Sequence, residues 1–328
     1  MDDCPVDVSV VTATRNRADA AQNALRSIAA QRLHTFESLL VDDGSEAEQA
    51  GMYREVVGSL DPRFRLLQPL QPGEIGSGPA LARNRGIHAA RGRYIAFLDD
   101  DDVWISAEHL SSAVSALDGF KADIYCADMQ GFRGDRLVYA SWFTAPDRLR
   151  ACPRVQEQPA LHQLTRRVFV ESILTRVIHP NMLVIRRSLI ERAGAFLPSL
   201  RFAEDTEFVL RLADHTDRII FNPLPAARYR LPEGNAHSLS MDATQQDLQT
   251  LAAAESLIMR AATAEVRRAA AVLESWTLRR LSIALIESGN RVAAIRTGLQ
   301  GVIARPSLGA IRDLVHVLVG AHGSNAGA

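Results

Sequence analysis

Cysteine is scarce in this chain: Cys4, Cys126 and Cys152 are the only three in 328 residues. They are scattered and form no CxxC pair or Cys/His cluster, which argues against a structural zinc site and fits a reducing cytoplasm. An excess of one charge is also missing. The formal net charge is −1, so there is no global attraction toward nucleic acid or an anionic membrane. Long apolar runs are absent. The late stretch LVHVLVGA (314–321) is far short of the roughly 18 residues that a membrane span needs. The opening MDDCPVDVSVV is acidic and has no basic region before an apolar core, so no signal peptide is expected. There is no repeat and no low-complexity linker.

What remains is an ordinary folding composition, 47% hydrophobic and 23% charged. The length suits one large domain, or a main domain with a smaller one. DVSVVTAT (7–14) reads as a buried strand. Residues 18–31 carry Ala21, Ala24, Leu25 and Ile28 at helical spacing. ESLLV (37–41) is a second strand, and a helical connection of that length favours parallel pairing. A helix near 46–59, a strand at 63–67, a helix at 80–90, a strand at 94–98, a helix at 106–117 and a strand at 123–127 continue the alternation. This predicts an α/β fold with a mostly parallel sheet. Residues 128–178 are expected to be irregular, with a helix near 162–175. A strand at 181–187, a short helix at 188–196 and an amphipathic helix at 203–215 follow. From about residue 242 the chain turns to Ala, Leu, Arg and Glu and reads as three or four helices, punctuated by Gly289-Asn290 and Pro306.

Acids gather where strands end. Asp42-Asp43 follows one strand, and Asp99 to Asp102 follows YIAFL (94–98). Ligands of open α/β sheets bind at the carboxyl ends of strands. A charged turn after a strand is common. Two such clusters at two strand ends of one sheet point instead to a site.

Four stretches then agree in order and approximate spacing: VSVVTATRNR (8–17), LLVDDGSE (39–46), ALARNRGIHAARGRYIAFLDDDD (80–102) and AEDTEFVLRL (203–212). Together they resemble the family 2 glycosyltransferases, the large inverting group with the GT-A fold. The resemblance covers about residues 6–240. It implies a Rossmann-like, mostly parallel sheet flanked by helices, with a C-terminal all-α appendage. The expected division is a transferase domain at 1–240 and a helical region at 241–328. Departing from the family's usual first motif, Arg15 stands where an aromatic often packs on the nucleobase. A guanidinium can stack on a base or turn to a phosphate.

The family's metal-binding DXD element matches Asp99-Asp100-Asp101. Four acids would repel a nucleotide diphosphate, and a divalent cation, Mn²⁺ or Mg²⁺, resolves the conflict, because such ions take oxygen ligands and share them with phosphate. The resemblance implies Asp101 as the direct ligand, with Asp99 and Asp100 toward the ribose or water on the metal. It places Thr12, Ala13, Thr14 and Arg15 along the donor and gives Asp43 the ring N–H of uracil, which also fits thymine. Arg83 is assigned to a phosphate or, equally, to an acid. Asp205 matches the family's base and Glu204 its supporting neighbour; the alternative for both is acids favoured at a helix N-terminus. His237 is a further candidate for metal or phosphate, and His179 and Trp104 for the acceptor.

The expected activity is metal-dependent, inverting transfer from a nucleotide-diphosphate sugar, with UDP- and dTDP-sugars favoured. The acceptor would be a glycan, glycolipid or protein in surface polysaccharide or glycoconjugate synthesis. No nucleic-acid partner is expected. The expected place is the cytoplasm. The arginine excess after residue 242 is compatible with peripheral association at the inner face of the membrane, and equally with a solvated helical face. A nucleotidyltransferase would show a Gly-rich phosphate loop after the first strand, and TATRNRAD has no glycine. A non-catalytic sugar or nucleotide binder would be expected to lose Asp101 or Asp205. A helical interaction protein would carry its function in 242–328.

Overall fold

The β-branched run at the amino terminus becomes β1 (Val8–Thr14), a strand at the heart of the sheet. A computed structural model describes residues 5–69, 76–155, 158–231 and 241–323. α1 (Ala18–Ala29) buries Ala21, Ala24, Leu25 and Ile28, the stripe that the spacing predicts. β2 (Phe36–Asp42) lies parallel to β1 with Val8 opposite Phe36 and Thr14 opposite Asp42. α2 (Ala47–Gly58), β3 (Phe64–Leu67), α3 (Pro79–Ala89) and β4 (Tyr94–Phe97) complete the first half. Every residue of β2 and β4 is buried, as expected of strands covered on both faces. α3 lies so close to β1 that a Cβ on Gly86 would come within 2.3 Å of Val11 Cγ1. Only glycine fits there.

The second half comprises β5 (Val103–Trp104), α4 (His109–Gly119), β6 (Ile124–Arg133), β7 (Arg136–Tyr139), α5 (Pro146–Arg150), β8 (Arg154–Val155), β9 (Gln158–Leu164) and α6 (Arg166–Thr175). β10 (Leu183–Arg186), α7 (Arg187–Ala193), α8 (Glu204–Asp214) and β11 (Ile219–Arg230) follow. The strand order is β3-β2-β1-β4-β10-β6-β11-β9-β8, with β5 on β11 and β7 on β6. β10 is antiparallel to both β4 and β6, and β6 is parallel to β11. So β3, β2, β1, β4, β6 and β11 all run one way around a reversed β10. This is the mostly parallel, helix-flanked sheet expected.

Three local expectations change. β6 runs on to Arg133 and forms a hairpin with β7, where irregular chain was expected. The helix expected near 162–175 starts at Arg166, because Thr165 caps it and the residues before it form β9. β11 has no counterpart in the sequence reading. Its run IIFNPLPAARYR contains two prolines, which signal loop. The strand accommodates them with register shifts at Pro225.

Four helices close the chain: α9 (Ala243–Arg260), α10 (Ala264–Glu287), α11 (Arg291–Ala304) and α12 (Leu308–Gly323). Asp242 and Gln245 form a reciprocal capping box on α9. Gly289, with φ at +81°, ends α10. These helices are not detached. α9 packs on α8 and α10 on α6, and Leu257, Val266, Ala269 and Ala270 join the same buried core as the sheet.

Candidate active site

The carboxyl ends of β1, β2 and β4 lie side by side, so Thr14, Asp42-Asp43 and Asp99–Asp102 converge. Each of the four acids after β4 has a different neighbourhood. Asp99 accepts from Arg83 Nη2 at 2.8 Å. Burial alone would raise its carboxyl, but Arg83 outweighs this and holds it below the usual range. Asp100 accepts from Thr14 Oγ1 at 2.7 Å and from Arg17 Nη1 at 3.3 Å. Burial, reinforced by Asp101, pushes it up to about 7. Asp101 takes the same Arg17 nitrogen at 3.0 Å. Its side chain is 33% exposed against 8% for Asp100, and burial with Asp99 nearby raises its carboxyl too. Asp102 is enclosed. It accepts from the Asn181 side-chain amide and from the Arg230 backbone N–H at 2.8 Å. It therefore ties the cluster to the turn before β10 and to the end of β11.

Arg83 joins this cluster to α8. Its Nη1 donates to Glu204 Oε1 at 2.9 Å while Nη2 holds Asp99. Of the two expected roles, the structure gives Arg83 acidic partners, and they are buried rather than on the surface. Its pKa rises because Asp99 and Glu204 outweigh the burial that would lower it. Asp205, half-buried beside Glu204, accepts from the Thr206 N–H at 2.6 Å. Burial raises both carboxyls against the pull of Arg83, with Asp205 adding to the effect on Glu204. The residue before them, Ala203, has φ at +60°. That left-handed backbone is strained for a non-glycine, and it turns the chain into the helix where the pair sits.

At the β2 end, Asp43 receives Ser77 N–H at 3.0 Å and Ser77 Oγ at 2.6 Å on Oδ1, and Gly78 N–H at 2.8 Å on Oδ2. A carboxylate oxygen has two lone pairs, so Oδ2 retains one acceptor position. Arg15 is exposed. A Cβ on Gly76 would lie 2.6 Å from its Nη1 and 2.8 Å from the Asp43 carbonyl, so Arg15 and Asp43 share one rim.

A third wall is aromatic. His179 packs on Tyr229 with centroids 4.4 Å apart and the rings tilted by 35°, and Trp142 lies 5.2 Å from His179. Desolvation brings His179 down to about 4, against the opposing charge of Asp99, so this ring is neutral at pH 7.

Two expected contacts are corrected. Thr12 is fully buried and its hydroxyl has no hydrogen-bond partner among the described residues. It shares the face of Thr14 but lies two residues back from the end of β1, enclosed within the sheet. Trp104 is 5% exposed and part of the core. Its indole N–H reaches the Asn181 carbonyl at 3.4 Å, so it backs the turn carrying Asn181 and offers no stacking face. Ala13 is half-buried at the β1 end. His237 lies outside the described residues. Arg17, Asn181 and Tyr53, whose hydroxyl lies 2.9 Å from Thr14 Oγ1 and accepts the Arg17 N–H at 2.9 Å, were missed. Arg17 stands only two positions after Arg15 in TATRNR, but nothing in the spacing distinguishes the two.

The donor set is chemically a hard-cation set, all carboxylate oxygen. No group of three or more His, Cys, Asp or Glu able to hold a metal ion occurs among the described residues. This excludes a ready-made protein cage there. It fits Mg²⁺ or Mn²⁺, which one or two carboxylates hold together with substrate phosphates. Arg17 is the only described cation within ion-pair reach of Asp100 and Asp101, and with Thr14 on Asp100 and the charge of Arg230 near Asp101 both still remain raised, so the site has negative charge to spare.

Residues 9–194 match the family described as Glycosyl transferase family 2. The succinoglycan biosynthesis protein ExoW of Rhizobium meliloti (strain 1021) is 30% identical over 246 residues, 72% of this chain and 73% of ExoW. Among solved structures, S. aureus TarS 1–349 in complex with UDP-GlcNAc superposes with a TM-score of 0.69 at 19% identity, over 96% of this chain and 88% of that one. The mannosyltransferase PcManGT from Pyrobaculum calidifontis, in complex with GDP-Man and Mn²⁺, gives 0.57 at 19% identity, over 98% and 90%. At that identity the two structures speak for the GT-A fold alone.

Proposed function

The chain belongs to glycosyl transferase family 2, and from that premise we propose that it moves a sugar, with inversion, from a nucleotide-diphosphate donor to an acceptor hydroxyl during polysaccharide assembly. One observation carries the reading. The open, under-neutralised acids at the end of β4 are joined through Arg83 to the acidic start of α8.

In this reading Asp101, with Asp100 behind it, holds Mn²⁺ or Mg²⁺. Such an ion stabilises the charge that develops on the departing diphosphate. Asp43 offers its remaining lone pair to the imide N–H of uracil or thymine, held in place by Ser77 and Gly78. Arg15, beside it, covers the base or a phosphate. Asp205 takes the proton from the attacking hydroxyl. Inverting transfer needs that one base and no protein nucleophile. Glu204 holds Arg83 and so fixes the distance between the two halves of the site. His179, with Tyr229 and Trp142 behind it, forms an apolar wall for the acceptor. The ligands named for TarS and PcManGT support a uridine-type donor and a divalent cation respectively. We assign transfer to residues 1–240 and a supporting role to 241–328. No described helix is long and apolar enough to cross a membrane, and we place the reaction in the cytoplasm.

Thermal unfolding with UDP, dTDP, GDP and CMP, each with and without Mn²⁺, tests the proposal. Ligand at 100 times its dissociation constant stabilises by about 2.7 kcal/mol. A shift with UDP or dTDP that requires Mn²⁺ is expected. A GDP-only shift would overturn the role of Asp43, and no shift at all would overturn donor binding.

A further inference from the structure

The outer surface of the last two helices has a composition that the transferase reading does not use. α11 turns Ala294, Gly298 and Gly301 inward. A Cβ on Gly301 would lie 3.3 Å from Leu278 Cβ of α10, and one on Gly298 would lie 3.1 Å from Leu314 of α12. On the opposite side, Val292 is 82% and Ile303 77% exposed, with Leu299 between them. α12 repeats the arrangement. Ala310 and Val317 are buried. Leu308, Ile311 and Val315, spaced by three and four residues, form an exposed stripe, with Leu308 at 89%. α11 therefore buries a face of alanine and glycine, α12 one of Ala310 and Val317, and both present larger apolar residues to solvent, unlike an ordinary surface helix.

The charge bordering this face has one sign. Residues 289–323 contain four arginines and a single acid, Asp313. Asp313 is already held by Arg279 of α10, and Arg312, whose side chain is 80% exposed, reaches its other oxygen at 3.4 Å. One residue beyond the apolar stripe, Arg296 on α11 and Arg312 on α12 take equivalent positions of the helical turn, and Arg305 lies between the helices; all three are exposed. A second copy of the chain is a poor match. In a self-paired dimer the face would meet its own arginines and find no spare acid. An anionic lipid surface suits both halves of the pattern, since its acyl boundary takes the apolar residues and its headgroup phosphates take the guanidiniums. We propose that the outward face of α11 and α12 docks on an anionic bilayer surface, lying in its interface and not crossing it. This stands independently of the transfer reaction.

Flotation of the full-length protein with phosphatidylcholine vesicles, with and without phosphatidylglycerol, tests this without measuring turnover. Binding is expected only with phosphatidylglycerol, weakening as salt is raised. The triple variant Arg296→Gln/Arg305→Gln/Arg312→Gln should partition about a hundredfold more weakly. Ile311→Glu/Val315→Glu should abolish binding while the thermal midpoint stays at or above that of the wild type. Three outcomes would overturn the proposal: wild-type protein that never floats, a triple variant that binds as well as the wild type, or sedimentation showing a wild-type dimer that Ile311→Glu/Val315→Glu splits.

Discussion

The two ends of the sheet treat buried carboxylates in opposite ways. At the amino ends of the strands, Glu37 of β2 and Asp123, just before β6, are each 1% exposed and well supplied. Glu37 receives Ser9 Oγ and Arg91 N–H, both at 2.7 Å, and the guanidiniums of Arg91 and Arg65 at 3.0 Å. Asp123 is gripped by Arg218 Nη2 at 2.9 and 2.7 Å and by Thr216 Oγ1 at 2.7 Å. At the carboxyl ends, Asp100 and Asp101 share a single guanidinium nitrogen. The lesson is that acidity alone marks nothing. Glu37 and Asp123 are neutralised within the fold, whereas Asp100 and Asp101, which the proposal assigns to a cation, are left short of positive charge.

Substitutions at the two ends should therefore have opposite effects. Asp101→Asn should lower kcat/KM about 10²–10³-fold and abolish Mn²⁺-dependent donor binding. Because its carboxyl is raised in the fold, its charge costs stability at neutral pH, so the thermal midpoint should hold or rise. Activity that survives, or a midpoint that drops, would erase the contrast. Asp205→Asn should cut kcat about 10²–10⁴-fold while the thermal shift with UDP or dTDP is preserved; losing that shift would make Asp205 a donor contact.

Glu37→Gln should do the reverse, lowering stability by about 2 kcal/mol and leaving kcat intact. Burial alone would raise the Glu37 carboxyl, but the Arg91 N–H, Ser9 and the two guanidiniums hold it below the usual value of 4.5. Its contribution is complete above pH 4.5 and is lost as pH falls through the lowered pKa. The variant should accordingly show a flatter acid limb in pH-dependent unfolding. The smallest effect is expected at His109, which is 2% exposed, packs against Trp104 and has no partner on either ring nitrogen among the described residues. Desolvation lowers it from 6.5 to about 3. The wild type should lose stability progressively as pH falls below 6.5, and His109→Leu should remove the His109 share of that loss, leaving the share of His179, while changing stability at pH 8 by less than about 1.5 kcal/mol.

Much of the fold was legible because periodicity and burial agree. The stripe of α1, the apolar run of β1 and the acids at the ends of β2 and β4 need only local pattern. β11 was not legible, since Pro223 and Pro225 break the strand signal and only its pairing with β6 accommodates them. At the site, the resemblance pointed to Asp43, Asp99–Asp101 and Glu204-Asp205, and the structure brings the last two groups together through Arg83. It could not find Arg17 or Asn181. Their roles depend on partners 83 and 82 residues away, a separation no local pattern encodes. Thr12 failed for a simpler reason. It lies two residues back from the end of β1, where the strand is enclosed, and a motif read as a string does not show how deep each residue sits.

The reversed strand β10 also sets the order of assembly. It fills the gap between β4 and β6, and Asn181 on its leading turn carries hydrogen bonds to Asp99 and Asp102. During synthesis, a chain that has not yet emerged past residue 186 has the half-sheet β3-β2-β1-β4 with an exposed β4 edge, the separate β6-β7 and β8-β9 hairpins that only β11 later joins, and an acid cluster without its anchor. Closing the sheet must therefore wait for long-range pairing, and the proposed donor site is complete only once most of the sheet exists.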